Sequence, residues 1–388
     1  MGDIQYMRLA LRLARRGNGA TSPNPMVGAV LVQGGKIIGQ GWHRRAGAPH
    51  AEIEALRDAQ ARGRSPRGAA LYVTLEPCCT QGRTPPCTAA IIAAGIKRVI
   101  AGATDPNPKH SGKGFEILCS AGIEVTPMSE SSPRLAQDCA RLNEAFNYWI
   151  VHHTPFVTVK AAMTLDGKIA TAAGESKWIT GEKARAFGMQ LRRGSDAILV
   201  GINTILADDP SLTARTKQPE KGGCLAPPVR RIALDPMART PLNAKIVSDD
   251  FARATTLVIG EKAPRQRVAA LKNKVNVLTA PFIRSVDDPR RTAIDLPWVL
   301  KRLGAENVTR LLVEGGGEVN ASFLLGGLAQ RVAFFYAPKI LGGRAARKGV
   351  AGDGAKNLRD VVALQDVHWR KLGEDLLLTA LVQCGGAS

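Results

Sequence analysis

Four residues in the first quarter of the chain have the types and order of a catalytic zinc site. His50 and Glu52 flank Ala51, and Cys78 and Cys87 follow, with eight residues between the two cysteines. One imidazole and two thiolates bind zinc and leave a fourth position open for water, as a catalytic site requires. Zinc lowers the pKa of bound water toward about 7, and Glu52 is the natural proton carrier for attack on an amidine-like ring carbon. The pattern predicts a hydrolytic deaminase.

The spacing of the two cysteines differs from that of nucleic-acid deaminases, whose signature is H-x-E followed by a short P-C-x-x-C arm. Structural interpretations remain for each residue, because His-x-Glu pairs are common in helices and a free cysteine is often a small buried hydrophobe. Cys79 competes with Cys78 as a ligand, although packing in the manner of a serine is its expected role. The remaining cysteines are interpreted as core or incidental, at positions 119, 139, 224 and 384.

A second group of residues, in the last quarter of the chain, has the composition of a phosphate-binding turn. Residues 311–317, LLVEGGG, form a buried-type strand that enters three glycines before a helical stretch over residues 319–325. Glycines let backbone N–H groups approach a phosphate at a helix N-terminus. A strand over residues 197–201 ends similarly before Asn203 and Thr204, and two such strand ends predict a cleft at the carboxyl edge of one sheet. The pattern is not G-x-G-x-x-G, so an ordinary glycine turn remains an alternative.

The elements that must position these residues alternate between helix and strand in both halves of the chain, as in α/β domains. The linker at residues 152–155 and a new alternating strand at 156–160 place a domain boundary near 150, with domains 1–150 and 151–388. In the first half we expect helices at 4–14, 50–62, 86–94, 115–121 and 133–150, a hairpin at 26–39, and strands at 70–75 and 98–101. In the second half we expect strands at 197–200, 231–234, 257–259, 275–278, 311–314 and 332–336, and a hairpin over 367–382.

Composition restricts the class of protein further. The 388 residues are 45% hydrophobic, 22% charged and 5% aromatic, which excludes a mainly disordered or fibrous chain. We expect a soluble, cytoplasmic protein, because there is no apolar run of membrane-spanning length and no secretory signal, and because seven irregularly spaced cysteines fit reduced thiols. The net charge of +20 is spread over both halves. A dispersed surplus favours a solvated surface or attraction of small phosphorylated ligands over a nucleic-acid footprint.

The motifs TSPNPMVGAVLV, GAPHAEIEAL, YVTLEPCCTQGRTPPC and DPNPKHSGKG resemble the deaminase half of the bifunctional riboflavin-biosynthesis deaminase/reductase family. VKAAMTLDGKIA, GESKWIT, LRRGSDAILVGINTILADDPSLTAR and VEGGGEVNASFL resemble its reductase half. The resemblance implies a cytidine-deaminase-like three-layer α/β/α domain followed by a dihydrofolate-reductase-like α/β domain. It departs at residues 79–81, Cys-Thr-Gln, where the family more often has Ser-His.

The resemblance also implies site residues. In the first domain His50, Cys78 and Cys87 would hold Zn²⁺ and Glu52 would be the proton donor. In the second domain the residues expected to line NADPH are Ala162, Trp178, Thr204, Asp208, Gly316, Gly317, Glu318, Val319, Asn320, Ala321 and Ser322. Those expected to face the substrate are Ser176, Arg192, Leu212, Arg215 and Glu314.

Several positions keep two interpretations. The amide of Asn24 would bond the substrate or stabilise its own turn, and Arg83 would meet the substrate phosphate or solvent. Lys160 and Asp166 would touch a ligand, although LDGK also fits a hairpin turn. The two Arg side chains of the substrate set would fork onto a phosphate, Trp178 would offer a flat surface or belong to the core, and Asp208 would contact cofactor or end a helix.

The resemblance implies an enzyme with two activities. Zinc-dependent deamination of diaminohydroxyphosphoribosylaminopyrimidine would precede NADPH-dependent reduction of the ribosyl group of 5-amino-6-(5-phosphoribosylamino)uracil. The expected partners are this phosphorylated pyrimidine and further copies of the chain, with no nucleic acid and no membrane. Two alternatives are a nucleic-acid or nucleoside deaminase with an accessory basic domain, and a non-catalytic protein on a decayed deaminase fold. The first predicts a short C-x-x-C arm and stacking aromatics, and the second predicts loss of the zinc residues, none of which the sequence has.

Overall fold

The computed structural model describes residues 2–80, 85–214, 228–284 and 292–383. The contacts between their Cα atoms divide these residues into two compact units, 2–153 and 154–383. Arg83, Arg215, Cys224 and Cys384 lie outside the described residues. Among the described residues, no helix has both the length and the apolar character that a membrane span requires.

Unit 1 is a five-stranded sheet with helices on both faces. The strands lie in the order β2-β1-β3-β4-β5, with β1 antiparallel to both of its neighbours and β3, β4 and β5 parallel. The strands are β1 Gly28–Gln33, β2 Lys36–Trp42, β3 Ala70–Val73, β4 Arg98–Ala101 and β5 Glu124–Pro127. The helices are α1 Asp3–Ala14, α2 Ala51–Ala61, α3 Cys87–Ala93, α4 Lys113–Ser120, α5 Met128–Ser131, α6 Pro133–Leu142 and α7 Glu144–His152.

Two apolar clusters fix the three layers of unit 1. On one face of the sheet, Ala55 of α2, Ile91 of α3 and Leu118 of α4 are fully buried against the strands. On the other face, Met7 of α1 and Leu135 of α6 close a second core. Alternate strand residues point to opposite faces, so one short sheet serves both cores. The three-layer α/β/α fold expected for the first half is confirmed.

The last helical segment of unit 1 differs from the prediction. We expected one helix over residues 133–150, whereas the chain forms α6 and α7 with a break at Asn143. The Asn143 side chain is buried and bonds both peptide groups of Met26, accepting from the N–H at 2.8 Å and donating to the carbonyl at 2.9 Å. These tertiary bonds fix Asn143 outside helical geometry, and no local pattern carries that information.

Unit 2 is built on a nine-stranded sheet in the order β11-β10-β9-β8-β14-β6-β15-β18-β17, parallel from β11 to β15 and antiparallel through the last two strands. Its strands are β6 Phe156–Thr164, β8 Ala197–Gly201, β9 Arg230–Leu234, β10 Thr255–Gly260, β11 Asn276–Ala280, β14 Arg310–Val313, β15 Arg331–Ala337, β17 Leu364–Leu372 and β18 Asp375–Val382. Two short pairs add β7 Lys168–Ala170 with β16 Arg347–Lys348, and β12 Phe282–Arg284 with β13 Thr292–Ile294. The helices are α8 Glu182–Arg193, α9 Ile202–Asp208, α10 Lys245–Ser248, α11 Arg265–Lys272, α12 Leu296–Ala305 and α13 Gly317–Leu325.

Helices cover both faces of the parallel part of this sheet. Val299 of α12 and Phe323 of α13 pack on one face, and Ile205 of α9, Ile246 of α10 and Leu271 of α11 pack on the other. The parallel strands therefore point their carboxyl ends to one edge, where β8 ends at Gly201 and β14 is followed by Glu314 and three glycines. This is the edge at which α/β sheets bind ligands. The hairpin predicted over residues 367–382 is confirmed by β17 and β18.

Candidate functional sites

The predicted zinc ligands come together at the ends of three elements of unit 1. His50 is the residue before α2, Cys78 lies in the loop after β3, and Cys87 is the first residue of α3. The Nδ1 atom of His50 lies 3.4 Å from the Sγ of Cys78 and 3.3 Å from the Sγ of Cys87. Tetrahedral zinc with bonds of about 2.0–2.3 Å separates its ligand atoms by about 3.5 Å. The donor set and its spacing therefore fit one zinc ion.

The electrostatics of this cluster favour a thiolate at Cys78. A hydrogen bond from the Cys87 thiol, with further bonds from His50 and from the backbone N–H of Cys87, lowers the pKa of Cys78 below its ordinary value. The thiolate is the form that binds a metal. Cys79, the competing candidate, turns its sulfur toward Nδ1 of His110 at 3.7 Å instead of toward His50. The structure thus groups Cys78, and not Cys79, with the other two ligands.

Glu52 lies in the first turn of α2 beside this cluster, with only 3% of its surface exposed. Burial raises the pKa of Glu52 to about 7, and the charge of Cys78 acts in the same direction. A carboxyl group with a pKa near the working pH can both accept and donate a proton during catalysis. The placement is that of a proton carrier next to a metal.

Asn24 has a partner that the sequence analysis does not single out. Nδ1 of the buried His43 lies 3.1 Å from the carbonyl of Pro49, and its Nε2 lies 3.1 Å from Nδ2 of Asn24. A carbonyl only accepts, so Nδ1 carries the proton and Nε2 accepts from the Asn24 amide. The two bonds fix the orientation of that amide. Because β2 ends at Trp42, a polar residue directly after a strand is the local signal that points to His43.

The buried side chain of Glu76 anchors the loop that carries His110. Its carboxylate accepts from the backbone N–H groups of Asp105 and Gly112 at 3.0 Å and of Gly114 at 2.9 Å. A buried carboxylate needs such donors to offset its loss of hydration. These bonds hold the DPNPKHSGKG segment beside Cys79, whose neighbour Thr80 also contacts His110 at 3.4 Å.

In unit 2, a cleft of ≈ 1540 Å³ opens at the carboxyl ends of the parallel strands. The residues that line it include most of those expected around NADPH, namely Ala162, Trp178, Thr204, Asp208, Gly316, Gly317, Glu318, Val319 and Ser322. It is also lined by four of those expected around the substrate, Ser176, Arg192, Leu212 and Glu314. Asn320 and Ala321 are buried in α13 instead, and the Asn320 amide donates to the carbonyl of Gly349 at 2.8 Å.

Arg192 and Glu314, which both line this cleft, form an ion pair. Nε of Arg192 donates to both oxygens of Glu314 at 3.1 and 3.2 Å, and Nη2 donates to one of them at 2.5 Å. Burial opposes the charge of Glu314, but Lys160 and Arg192 outweigh it and lower the pKa of this carboxyl. We expected the guanidinium group of Arg192 to bind a phosphate. In the structure it binds Glu314 instead, which lies 122 residues away along the chain.

The structure also distinguishes between the alternative interpretations of Trp178, Asp166 and Asp208. Trp178 is 66% exposed and Arg185 stacks on its ring at 4.7 Å, so it is a surface of the cleft and not core. The LDGK segment forms the predicted turn, with Gly167 at φ +76°. Asp166 accepts there from the N–H groups of Leu341 and Gly342, so it anchors a neighbouring loop. Asp208 is the last residue of α9, which confirms the helix-end interpretation, and it also lines the cleft, where it accepts from the Ser176 hydroxyl at 3.4 Å.

The three glycines of the turn after β14 have different surroundings. A Cβ at Gly317 would lie 2.3 Å from the carbonyl oxygen of Lys348, and one at Gly315 would lie 2.5 Å from Val319. A Cβ at Gly316 would meet no atom of the described residues within 4 Å. Gly315 and Gly317 are therefore required by packing, whereas Gly316 leaves open space at the N-terminus of α13, where an anion would approach backbone N–H groups.

Family models match both halves of the chain. Residues 1–103 match the cytidine and deoxycytidylate deaminase zinc-binding region, and residues 155–378 match the RibD C-terminal domain. The riboflavin biosynthesis protein RibD of Aquifex aeolicus is 44% identical over 97% of both chains. The RibD of Escherichia coli is 37% identical over 97% of this chain and 99% of its own.

Solved structures of related proteins align with this chain over nearly its whole length. The structure of Acinetobacter baumannii RibD aligns with a TM-score of 0.82 and 34% identity, covering 98% of this chain and 99% of that one. A Thermotoga maritima structure, described as a diaminohydroxyphosphoribosylaminopyrimidine deaminase/5-amino-6-(5-phosphoribosylamino)uracil reductase, aligns with a TM-score of 0.79 at 33% identity, covering 98% of each chain. The chain therefore belongs to the RibD family of bifunctional riboflavin-biosynthesis enzymes, which join a zinc-binding deaminase to an NADPH-dependent reductase.

Proposed function

We propose that residues 1–150 hydrolyse the amino group of diaminohydroxyphosphoribosylaminopyrimidine and that residues 151–388 then reduce the ribosyl group of the product to a ribityl chain. The observation that carries the first step is the buried Glu52 beside the cluster of His50, Cys78 and Cys87. These residue types and this geometry suit hydrolysis at a ring carbon that bears an amine.

His50, Cys78 and Cys87 would hold the zinc ion, which when bound activates water for hydrolysis. The Glu52 carboxylate takes a proton from the attacking water and passes it to the departing amine, so the C–N bond breaks and ammonia leaves. Asn24, with its amide nitrogen committed to His43, presents its carbonyl oxygen to a donor on the pyrimidine. The products are the uracil derivative and ammonia.

The reductase cleft would hold the cofactor and the sugar together. Opening of the ribose ring breaks the bond from the sugar carbon to the ring oxygen, which becomes a hydroxyl, and leaves an imine between that carbon and the exocyclic nitrogen. Bound NADPH would supply the hydride that reduces the imine carbon, with a proton taken up by the nitrogen from solvent. Gly316 and the first N–H groups of α13 face the cofactor diphosphate, and Trp178 gives a flat wall. The ion pair of Arg192 with Glu314, next to Lys160, provides fixed charges beside the reacting sugar. We propose these roles, and that of Arg215, from the family resemblance together with the lining of the cleft.

The remaining expectations are part of the same proposal. The substrate is a small phosphorylated pyrimidine, and the surplus of positive charge attracts it. The enzyme acts in the cytoplasm, which agrees with the free thiols of the five cysteines that the structure describes. Assembly of several copies of the chain is a prediction from the family alone. A nucleic-acid deaminase with an accessory basic domain is not retained, because the RibD C-terminal domain accounts for residues 155–378.

The test is to incubate the purified protein with the diaminopyrimidine ribosyl phosphate, with and without NADPH, and to follow ammonia and NADPH absorbance. We expect ammonia without NADPH, and oxidation of NADPH once it is added. Glu52→Gln should keep zinc and lose ammonia release, while oxidation of NADPH with the uracil substrate continues. Equal loss of both activities in this variant would contradict two separate sites.

A further inference from the structure

Arg231, the second residue of β9, carries a buried charge that the proposed reaction does not use. Its side chain is 1% exposed, and within the described part of unit 2 it is not one of the residues that line the cleft. Asp249 neutralises it through two hydrogen bonds, from Nη1 at 2.6 Å and from Nη2 at 2.8 Å. A buried ion pair adds little net stability compared with apolar residues of the same size, so stability alone does not account for this pair.

The remaining donors of the Arg231 guanidinium bind oxygen atoms of three different segments. Nε donates to the hydroxyl of Thr255 at 2.9 Å, Nη2 donates to the carbonyl of Ile246 at 3.1 Å, and Nη1 donates to the carbonyl of Ser211 at 3.0 Å. All five N–H groups of the guanidinium are therefore used. Thr255 and Ile246 belong to β10 and α10, whereas Ser211 lies in the loop after α9 and lines the cleft.

The residue after Ser211 has a strained backbone. Leu212 has a φ of +49°, in the left-handed region that bulky side chains rarely adopt, and it is 2% exposed and lines the cleft. Beyond it, the carbonyl of Thr213 accepts from Nη1 of Arg192 at 3.2 Å. Backbone strain of this kind persists only where the surrounding structure fixes it. Two guanidinium groups therefore hold the carbonyl groups before and after Leu212.

We propose that Arg231 is a positioning residue of the reductase. By binding the Ser211 carbonyl, it keeps Leu212 in the left-handed turn. Leu212 then keeps its place in the wall of the cleft, and the Thr213 carbonyl keeps its bond to Arg192. Arg231 itself touches neither substrate nor cofactor. The inference rests on the proposed reductase activity, and it adds a residue that no contact with a ligand would identify.

The first test is Arg231→Lys in the full-length protein, with NADPH oxidation measured against the uracil substrate well below the melting temperature. An ammonium has three N–H groups, so lysine keeps a charge beside Asp249 but cannot make all five bonds. We expect the KM for the uracil substrate to rise about tenfold or more as the strained turn relaxes. The KM for NADPH and the rate of ammonia release should stay unchanged, because Leu212 belongs to the proposed substrate side of the cleft. Arg230→Lys is the matched control, because Arg230 precedes Arg231 on β9 and donates to the exposed Glu306 at 2.7 Å.

A second variant separates positioning from stability. Arg231→Met combined with Asp249→Leu removes the whole ion pair, which leaves no lone buried charge and is often neutral for stability. We expect a melting temperature near that of the unmodified protein together with the same rise in the KM for the uracil substrate. Leu212→Gly provides a third measurement, because glycine adopts the left-handed region without strain. In that background Arg231→Lys should raise the KM for the uracil substrate by a smaller factor.

The outcomes separate the inference from the proposed function. A fall in kcat with both KM values unchanged would assign Arg231 to the stability of unit 2 and overturn the inference. An equal effect of Arg230→Lys would overturn it too, as would an equal factor for Arg231→Lys with and without Leu212→Gly. Failure of the unmodified protein to oxidise NADPH would instead overturn the proposed reductase itself. A rise confined to the KM for the uracil substrate, in both Arg231→Lys and the double variant, supports the inference.

Discussion

Gly317 is a position at which one added methyl group should damage the reductase unit. A Cβ there would lie 2.3 Å from the carbonyl oxygen of Lys348, 3.0 Å from the Cβ of Ala351 and 3.2 Å from its nitrogen. The N–H of Ala351 also donates to the carbonyl of Gly317 at 3.0 Å, so the two segments cannot separate without losing a hydrogen bond. Gly317→Ala must therefore displace the backbone that forms one wall of the cleft.

The size of the effect follows from two opposing contributions. Overpacking of this kind costs about 1–3 kcal/mol, and the better helix propensity of alanine returns at most about 1 kcal/mol, less at a first helical position. We expect a net loss of about 1–2 kcal/mol, which lowers the melting temperature of a unit of this size by roughly 2–8 °C. Binding of NADPH should weaken as well, because the displaced segment lines the cleft.

Differential scanning calorimetry measures the melting temperature, and ammonia release reports whether the deaminase remains intact. Gly316→Ala is the matched control, because its Cβ would meet nothing within 4 Å among the described residues and its φ of −73° suits alanine. The reasoning is refuted if Gly317→Ala melts at the temperature of the unmodified protein, or if the Gly316 variant loses as much stability.

Three further predictions concern single features of the two sites. Glu314→Gln removes the carboxylate that neutralises the buried Arg192, so it should destabilise unit 2 by about 3 kcal/mol and abolish NADPH oxidation; preserved oxidation would show that the pair is not needed. Chelation of zinc should stop ammonia release but spare NADPH oxidation with the uracil substrate, and added zinc should restore the first activity; loss of both would contradict separate sites. The bond from the Thr164 hydroxyl and those from the N–H groups of Leu341 and Gly342 lower the pKa of Asp166 to about 2. The contribution of the Asp166 carboxylate to stability is therefore complete above about pH 4 and is lost as the pH falls toward 2. Asp166→Asn should flatten the fall in melting temperature over that pH range. A pH profile of the melting temperature that this substitution leaves unchanged would show that the carboxylate contributes nothing.

Local patterns were enough to predict which residues cluster at the candidate zinc site. His50, Glu52 and Cys87 sit at helix starts and Cys78 follows a strand, and each of these boundaries is marked by nearby residues such as the two prolines before Cys87. The ligands are assembled from few elements whose order along the chain is simple. A pattern read along the chain therefore identified the three clustered residues and the glutamate beside them.

The features that were missed depend on contacts between distant parts of the chain. The guanidinium group of Arg192 binds Glu314, which is 122 positions away in the sequence. The helix break at Asn143 is fixed by hydrogen bonds to Met26, which is 117 positions away. The strand pair of β7 and β16 likewise joins Ala170 to Arg347. Periodicity describes which face of an element is apolar, but it does not say which side chains meet across the sheet, so these pairings could come only from the structure.

The contacts of the Asn143 side-chain amide determine where the chain can be truncated. Because it bonds both the N–H and the carbonyl of Met26, it takes the place of a neighbouring peptide at the start of β1. Met26 is two residues after Asn24, so these bonds also anchor the segment whose Asn24 amide contacts His43. A truncated chain ending after α6, at residue 142, would leave both peptide groups of Met26 open, whereas one that includes α7 keeps them satisfied. An independently folding deaminase must therefore extend past its last buried helix to a residue that no apolar pattern marks.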